Sequence, residues 1–147
     1  MAKGFFKTWP DDQMREYGDS LFEAADGAAD NVGGWRVHTV KLGSRTVAFR
    51  STHDRVHAIL ARTMGHLRTD GVPDATISVC DTETTGVPPP PEPAWAEETW
   101  RHEGDATVFY NDRDRDLVSW SDAERGAGLW WIPSEASIPP WERPGTG

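Results

Sequence analysis

The chain predicts an α+β fold: a small mixed or antiparallel sheet with one main covering helix and a second helix near the N-terminus. Three observations carry that expectation. Residues 35–51 alternate apolar and polar side chains on either side of Gly43-Ser44, and residues 56–67 repeat apolar side chains every three or four positions. Residues 107–133 hold three short β-rich runs separated by polar turns. With 147 residues there is room for one domain of ordinary size and not for two. Apolar residues make up only 37%, yet eight Trp and five Phe concentrate much apolar area in few positions, which suits a compact core.

Taken in order, Pro10 and Asp11 open the first helix, because proline fits a first turn and acidic side chains favour the positive end. Met14, Tyr17, Leu21 and Phe22 then recur at helical spacing, with an end expected near Gly27. After Gly33-Gly34 come the runs WRVHTVKL and RTVAFRS, and a two-residue turn with glycine first makes them a hairpin. Thr52 is placed to cap a helix from about His53 to Leu67, with Val56, Ile59, Leu60, Thr63, Met64 and Leu67 as its apolar stripe. A third strand follows at ATISVC, and TVFYND, DLVSW and GLWWIP complete the sheet as a meander. These elements divide the chain into an N-terminal helical segment (1–34), an α+β core (35–133) and a Pro/Gly-rich tail or linker (134–147).

Between the third strand and the meander stands DTETTGVPPPPEP. Asp81, Thr82, Thr84 and Thr85 can each bond nearby backbone groups and stop the strand, and Gly86 permits a turn. Pro88 to Pro91 should then hold an extended polyproline conformation, giving a stiff arm over 86–93 that leaves the core.

Charge and composition exclude several functions. A formal net charge of -9, with three Lys and with Arg interleaved among acids, does not suit a nucleic acid or an anionic membrane surface. Cys80 is the one cysteine, so neither an intrachain disulfide nor a Cys-rich zinc site is available. No apolar run approaches the roughly 18 residues of a spanning helix, and the N-terminus lacks a signal-peptide core, so a cytoplasmic protein is expected.

Candidate chemistry is sparse. His53 and His57 lie four apart on a helix and could share a metal, as in a small metal-dependent hydrolase. Asp54 stands where a metalloprotease carries glutamate, however, and no third ligand is evident. Asp112, Asp114 and Asp116 begin like a calcium loop, but Leu117 and Ala123 occupy the positions that need glycine and glutamate. Cys80 lies in a strand without the sharp glycine turn that exposes a nucleophile, and the adjacent Glu97 and Glu98 read as solvated acids. No G-x-x-x-x-G-K-[ST] loop occurs. No catalytic residue, metal site or cofactor is therefore assigned.

One further pattern lies in the order of features. A hairpin, a helix ending in GHL, a strand entering D-x-x-T-T-G-V-P-P-P-P, an NDR turn and the ending LWWIPSEASIPPWER together resemble the N-terminal region of bacterial proteins related to HPr kinase. The resemblance spans about Trp35 to Arg143. Trp131-Ile132-Pro133 and Ile138-Pro139-Pro140-Trp141-Glu142-Arg143 would be the segments that lead toward the kinase half. That half, with its phosphate loop, is missing here, so the resemblance implies a non-catalytic accessory, regulatory or substrate-recognition module that meets a kinase-like domain or its substrate. The other reading it implies is an N-terminal fragment of a P-loop serine kinase or phosphorylase. The residues expected at such a protein contact are Thr84, Thr85, Gly86, Pro88, Pro89, Trp95, Trp100, Trp131 and Trp141, with Trp130 as a further exposed-anchor candidate.

Overall fold

The computed structural model describes residues 7–96, 101–112 and 116–134. The fold is α+β, as the sequence predicts, and the sheet is mixed. It runs through β1 (Lys7–Thr8), α1 (Asp11–Asp30), β2 (Arg36–Leu42), β3 (Arg45–Ser51) and α2 (Asp54–Thr63), with a short 3-10 turn at Gly65–Leu67. Then follow β4 (Ala75–Asp81), the one-turn helix α3 (Thr82–Thr85), β5 (Arg101–Glu103), β6 (Thr107–Asp112), β7 (Leu117–Asp122) and β8 (Ala127–Ile132). The strand order is β1-β5-β6-β7-β8-β4-β3-β2. No described helix is long and apolar enough to cross a membrane.

The β2–β3 hairpin forms in the expected register, with Leu42 opposite Arg45, and Gly43 takes a φ of 64° as a glycine-first turn requires. β3, α2 and β4 make a crossover, since β3 and β4 are parallel. The meander β6-β7-β8 is antiparallel, and β8 lies beside β4 in parallel, so both halves of the chain share one sheet. β1 and β5 were not foreseen, because two- and three-residue strands are too short to show alternation.

Helix α1 runs three residues past the expected stop at Gly27, because Ala25, Ala28 and Ala29 are buried and favour the helix. The amides of Asn31 and Gly34 close its end on the carbonyls of Ala28 and Ala29. Its buried side chains Met14, Tyr17, Leu21, Ala25 and Ala28 pack with Cys80, Phe109, Val118, Trp120, Leu129 and Trp131 into the central core. The helical segment and the core over 35–133 are thus one packed unit, and the main covering helix is α1, not the helix after the hairpin.

Trp120 fixes how α1 lies. Its indole Nε1 donates to the Met14 carbonyl at 3.3 Å, and Phe22 meets it edge-on with ring centroids 5.5 Å apart. Gly18, one turn from each, leaves the space: a Cβ there would stand 2.3 Å from the indole. Residues 14, 18 and 22 share one face of the helix, so the indole is held along its length.

At the same edge Arg15 clamps the buried carboxylate of Asp122, with Nε donating to Oδ2 at 2.7 Å. The other oxygen, Oδ1, accepts the amides of Glu124 and Arg125 and so shapes the β7–β8 turn. The Arg15 bond, reinforced by these amides and by the guanidinium charge, holds the Asp122 carboxyl below its ordinary value of 3.8.

α2 covers the opposite sheet face at the β2–β3 end, where Val40 and Val47 are buried with Val56 and Leu60. His38 on that face meets the Met64 carbonyl through Nε2 at 3.2 Å. Thr52 does not cap α2. His53 does, its Nδ1 accepting the Arg55 amide at 3.1 Å, while Thr52 is drawn into the sheet interior. The helix also stops at Thr63, before Gly65, instead of reaching Leu67.

Two outcomes follow. Gly18→Ala should destabilise the fold by about 1–3 kcal/mol through overpacking, despite the roughly 1 kcal/mol that alanine contributes to an isolated helix, as read by urea unfolding. Because its folded-state pKa is depressed, Asp122 contributes stability that is complete above 3.8 and is lost as pH falls through the lower folded value. Arg15→Met should cost about 1–3 kcal/mol at neutral pH and flatten that acid limb of a stability-against-pH curve.

Candidate functional site

The strand β4 and the chain leaving it are governed by Asp81. Its carboxylate is fully buried. Oδ1 accepts the Thr52 hydroxyl at 2.7 Å, Oδ2 accepts the Thr84 amide at 2.9 Å, and the Asp81 amide donates to Thr52 Oγ1 at 3.0 Å. Thr52 directly follows β3 and Asp81 ends β4, so this reciprocal pair ties two parallel strands at their carboxyl ends. Burying a carboxylate is tolerated only with such bonds.

From there the sequence TETTG does what its residue types suggest. Asp81 caps α3, the Thr85 hydroxyl donates to the Asp81 carbonyl at 2.9 Å, and Gly86 closes the turn with a φ of 74°. Thr85 Oγ1 also accepts the Val87 amide at 3.1 Å. Thr85 is therefore buried and structural, while Thr84, Gly86 and Pro88 are exposed and Pro89 is half-buried.

The proline arm does not leave the core. Val87 packs against the central cluster, and Pro88 to Pro91 wall a cavity with Tyr17 of α1 and Pro133 after β8. Glu92 accepts a hydrogen bond from the Asn111 side chain, and the Ala96 amide donates to the Pro93 carbonyl in the turn Ala94–Ala96. Trp95 then enters an aromatic group, 5.0 Å from Trp9 and 5.4 Å from His102 between ring centroids. The stiff arm is fastened at both ends, because burying Val87 and Trp95 removes apolar area that a projecting arm would leave in water.

Of the residues expected at a protein contact, the structure separates two groups. Trp131 is fully buried, its Nε1 donating to Thr82 Oγ1 at 3.2 Å, and Trp95 is half-buried in the aromatic group, so both serve packing. Trp100 and Trp141 lie outside the described residues, as do Glu97, Glu98 and Asp114. Trp130 is 45% exposed, because β8 turns alternate side chains to opposite faces and sends Trp131 inward.

Beside Trp130, on the face away from α1, lies Ile77, 37% exposed, with half-buried Val79 paired to Trp130 in register. α2 reaches only the β2–β3 end of this face. Parallel strands ordinarily have both faces covered. Here the parallel trio β3-β4-β8 has an apolar strip that no described helix covers. The strip is half legible in the sequence: residue type points to Trp130, whereas Ile77 belongs to a strand whose covered face only the sheet order decides.

Potential reactive groups are quiet. Burial first, then the Asp81 charge, pushes the Cys80 thiol up to about 12, so it stays protonated. The His53 Nδ1 is engaged in capping, and among the described residues no three His, Cys, Asp or Glu side chains gather as a metal site.

Replacing Thr52 by Val keeps the shape but removes both hydrogen bonds between Thr52 and Asp81, leaving the carboxylate only the Thr84 amide. The expected loss is about 1–3 kcal/mol in urea unfolding, and Thr52→Ser should lose clearly less. Equal midpoints for the wild type and Thr52→Val would show that the pair holds nothing.

Searches against models of protein families, curated proteins and solved structures find no match to this chain.

Proposed function

We propose that this chain is a non-catalytic accessory or substrate-recognition module of the HPr-kinase-like type, working through protein contact. The observation that supports it is the strip of Ile77, Val79 and Trp130 on parallel strands, which no element among the described residues covers. A partly exposed Trp flanked by aliphatic side chains is the kind of anchor around which protein interfaces are built. The occupant that fits is one amphipathic helix of a kinase-like domain: its apolar side supplies the cover that the parallel strands lack, and basic residues at its rim complement a chain of net charge -9.

The carboxyl ends of β3 and β4 favour this reading over nucleotide chemistry. In an open sheet a phosphate is gripped there by glycine-rich amides and a lysine. Here Thr52 and Asp81 fill that place with a buried carboxylate, which repels a polyphosphate.

The test is co-purification with a kinase-like protein encoded beside this chain, followed by titration calorimetry. The wild type should bind, and Ile77→Ser with Trp130→Ser should weaken binding by about thirtyfold or more, the scale of a central anchor, while the unfolding midpoint stays near wild type. Absence of binding by the wild type, or equal binding by the double variant, overturns the reading. Turnover of ATP with magnesium by the purified chain would overturn it as well.

A further inference from the structure

Beside Trp130 stands Gly128 of β8, the one glycine inside a described strand. Glycine weakens a strand, because it loses more backbone freedom on folding than other residues and packs no side chain. Its presence therefore marks a bulge, a tight bend or a close approach by another molecule. The first two do not apply here. β8 pairs residue for residue with β4 and with β7 across Gly128, and the φ of Gly128 is not positive, so any residue could take its backbone.

Nor does the fold itself need the space. Among the described residues a Cβ at Gly128 would meet only the Ile77 Cγ1, at 4.0 Å, which is ordinary contact, whereas at Gly18 the Trp120 indole already fills the place. By alternation Gly128 shares its face with Trp130, while Leu129 and Trp131 point into the core. Its partners in register are Ile77 on β4 and Ser121 on β7. Those two strands flank β8, so Ile77 and Ser121 stand roughly 10 Å apart. The missing side chain leaves a notch between them that Trp130 closes on a third side. Phe49, opposite Ile77 on β3, extends the apolar wall, and the exposed Ser121 forms a polar rim.

We infer that the notch at Gly128 determines the specificity of the docking strip: it takes one leucine-sized apolar side chain of the partner helix, held between Ile77 and Trp130. This rests on the protein-contact reading above. A side chain enclosed on three sides loses its water, and interface energy concentrates at such places. A branched residue at position 128 occupies the same volume and excludes the partner.

The test uses the whole chain and a synthetic amphipathic helix of Leu and Lys, about 18 residues long with leucines at every third or fourth position. Binding is followed by calorimetry and by amide shifts in NMR. The wild type should bind saturably, with shifts at residues 77–79 and 128–130. Gly128→Val should weaken binding about tenfold or more, a gap of about 1.4 kcal/mol. Gly128→Ala should weaken it less, and Ser121→Ala, at the rim, less than about twofold. Neither glycine variant should lower the urea midpoint, since the added Cβ meets no close neighbour. Equal binding by Gly128→Val and the wild type overturns the notch and leaves the docking strip standing, which Ile77→Ser with Trp130→Ser tests separately. A lowered midpoint for Gly128→Ala shows that the fold itself requires the glycine, and overturns the inference without any partner. Absence of saturable binding, or shifts confined to the acidic exposed face of α1, overturns it too.

Discussion

The contact of Trp120 with the backbone of α1 at Gly18 is the constraint on which the other features depend. A helix normally stands about 10 Å from a sheet because side chains intervene, but a glycine lets an indole reach the helix backbone itself. The Met14 carbonyl accepts from Trp120, and Arg15 grips Asp122 two residues further along the same strand, so α1 is fixed in both height and rotation. Tyr17, next to Gly18, is thereby turned between Phe109 and Trp95 and toward the proline-walled cavity.

A second constraint is the unequal cover of the two sheet faces. α1 lies over the central strands on one side, and α2 lies on the other side at the β2–β3 end only. The insertion of β8 next to β4 makes a parallel trio whose second face, among the described residues, is uncovered at Ile77 and Trp130. The apolar strip and the proline-walled cavity therefore lie on opposite faces of the sheet, separated by one layer of strands.

The node at Asp81 joins these two constraints. It fastens β3 to β4 through Thr52 and starts the turn that brings the prolines back over the sheet. Without the cap of α3 and the left-handed Gly86, the arm would have no fixed departure angle. The buried carboxylate stands at the strand ends where open parallel sheets commonly hold phosphate.

Local signals were enough for much of this. The hairpin was legible because Gly43 demands a positive φ between two alternating runs, and the helices because their apolar spacing matches 3.6 residues per turn. The stop after β4 was legible because Asp and Thr bond their own backbone. The choice between His53 and Thr52 as helix cap was not, since both can cap and only the neighbouring Asp81, 29 residues away in the chain, claims Thr52. Nor could residue type separate Trp130 from Trp131, the exposed anchor from the core side chain. Composition and periodicity determined by themselves that this is an acidic α+β domain with a hairpin, two main helices and no phosphate loop. The tertiary structure alone decided that β8 pairs with β4, that the proline arm folds back on Tyr17, and that no described element covers one apolar strip. Those outcomes rest on contacts between distant residues, whose free energy depends on which faces meet and leaves no periodic trace in the chain.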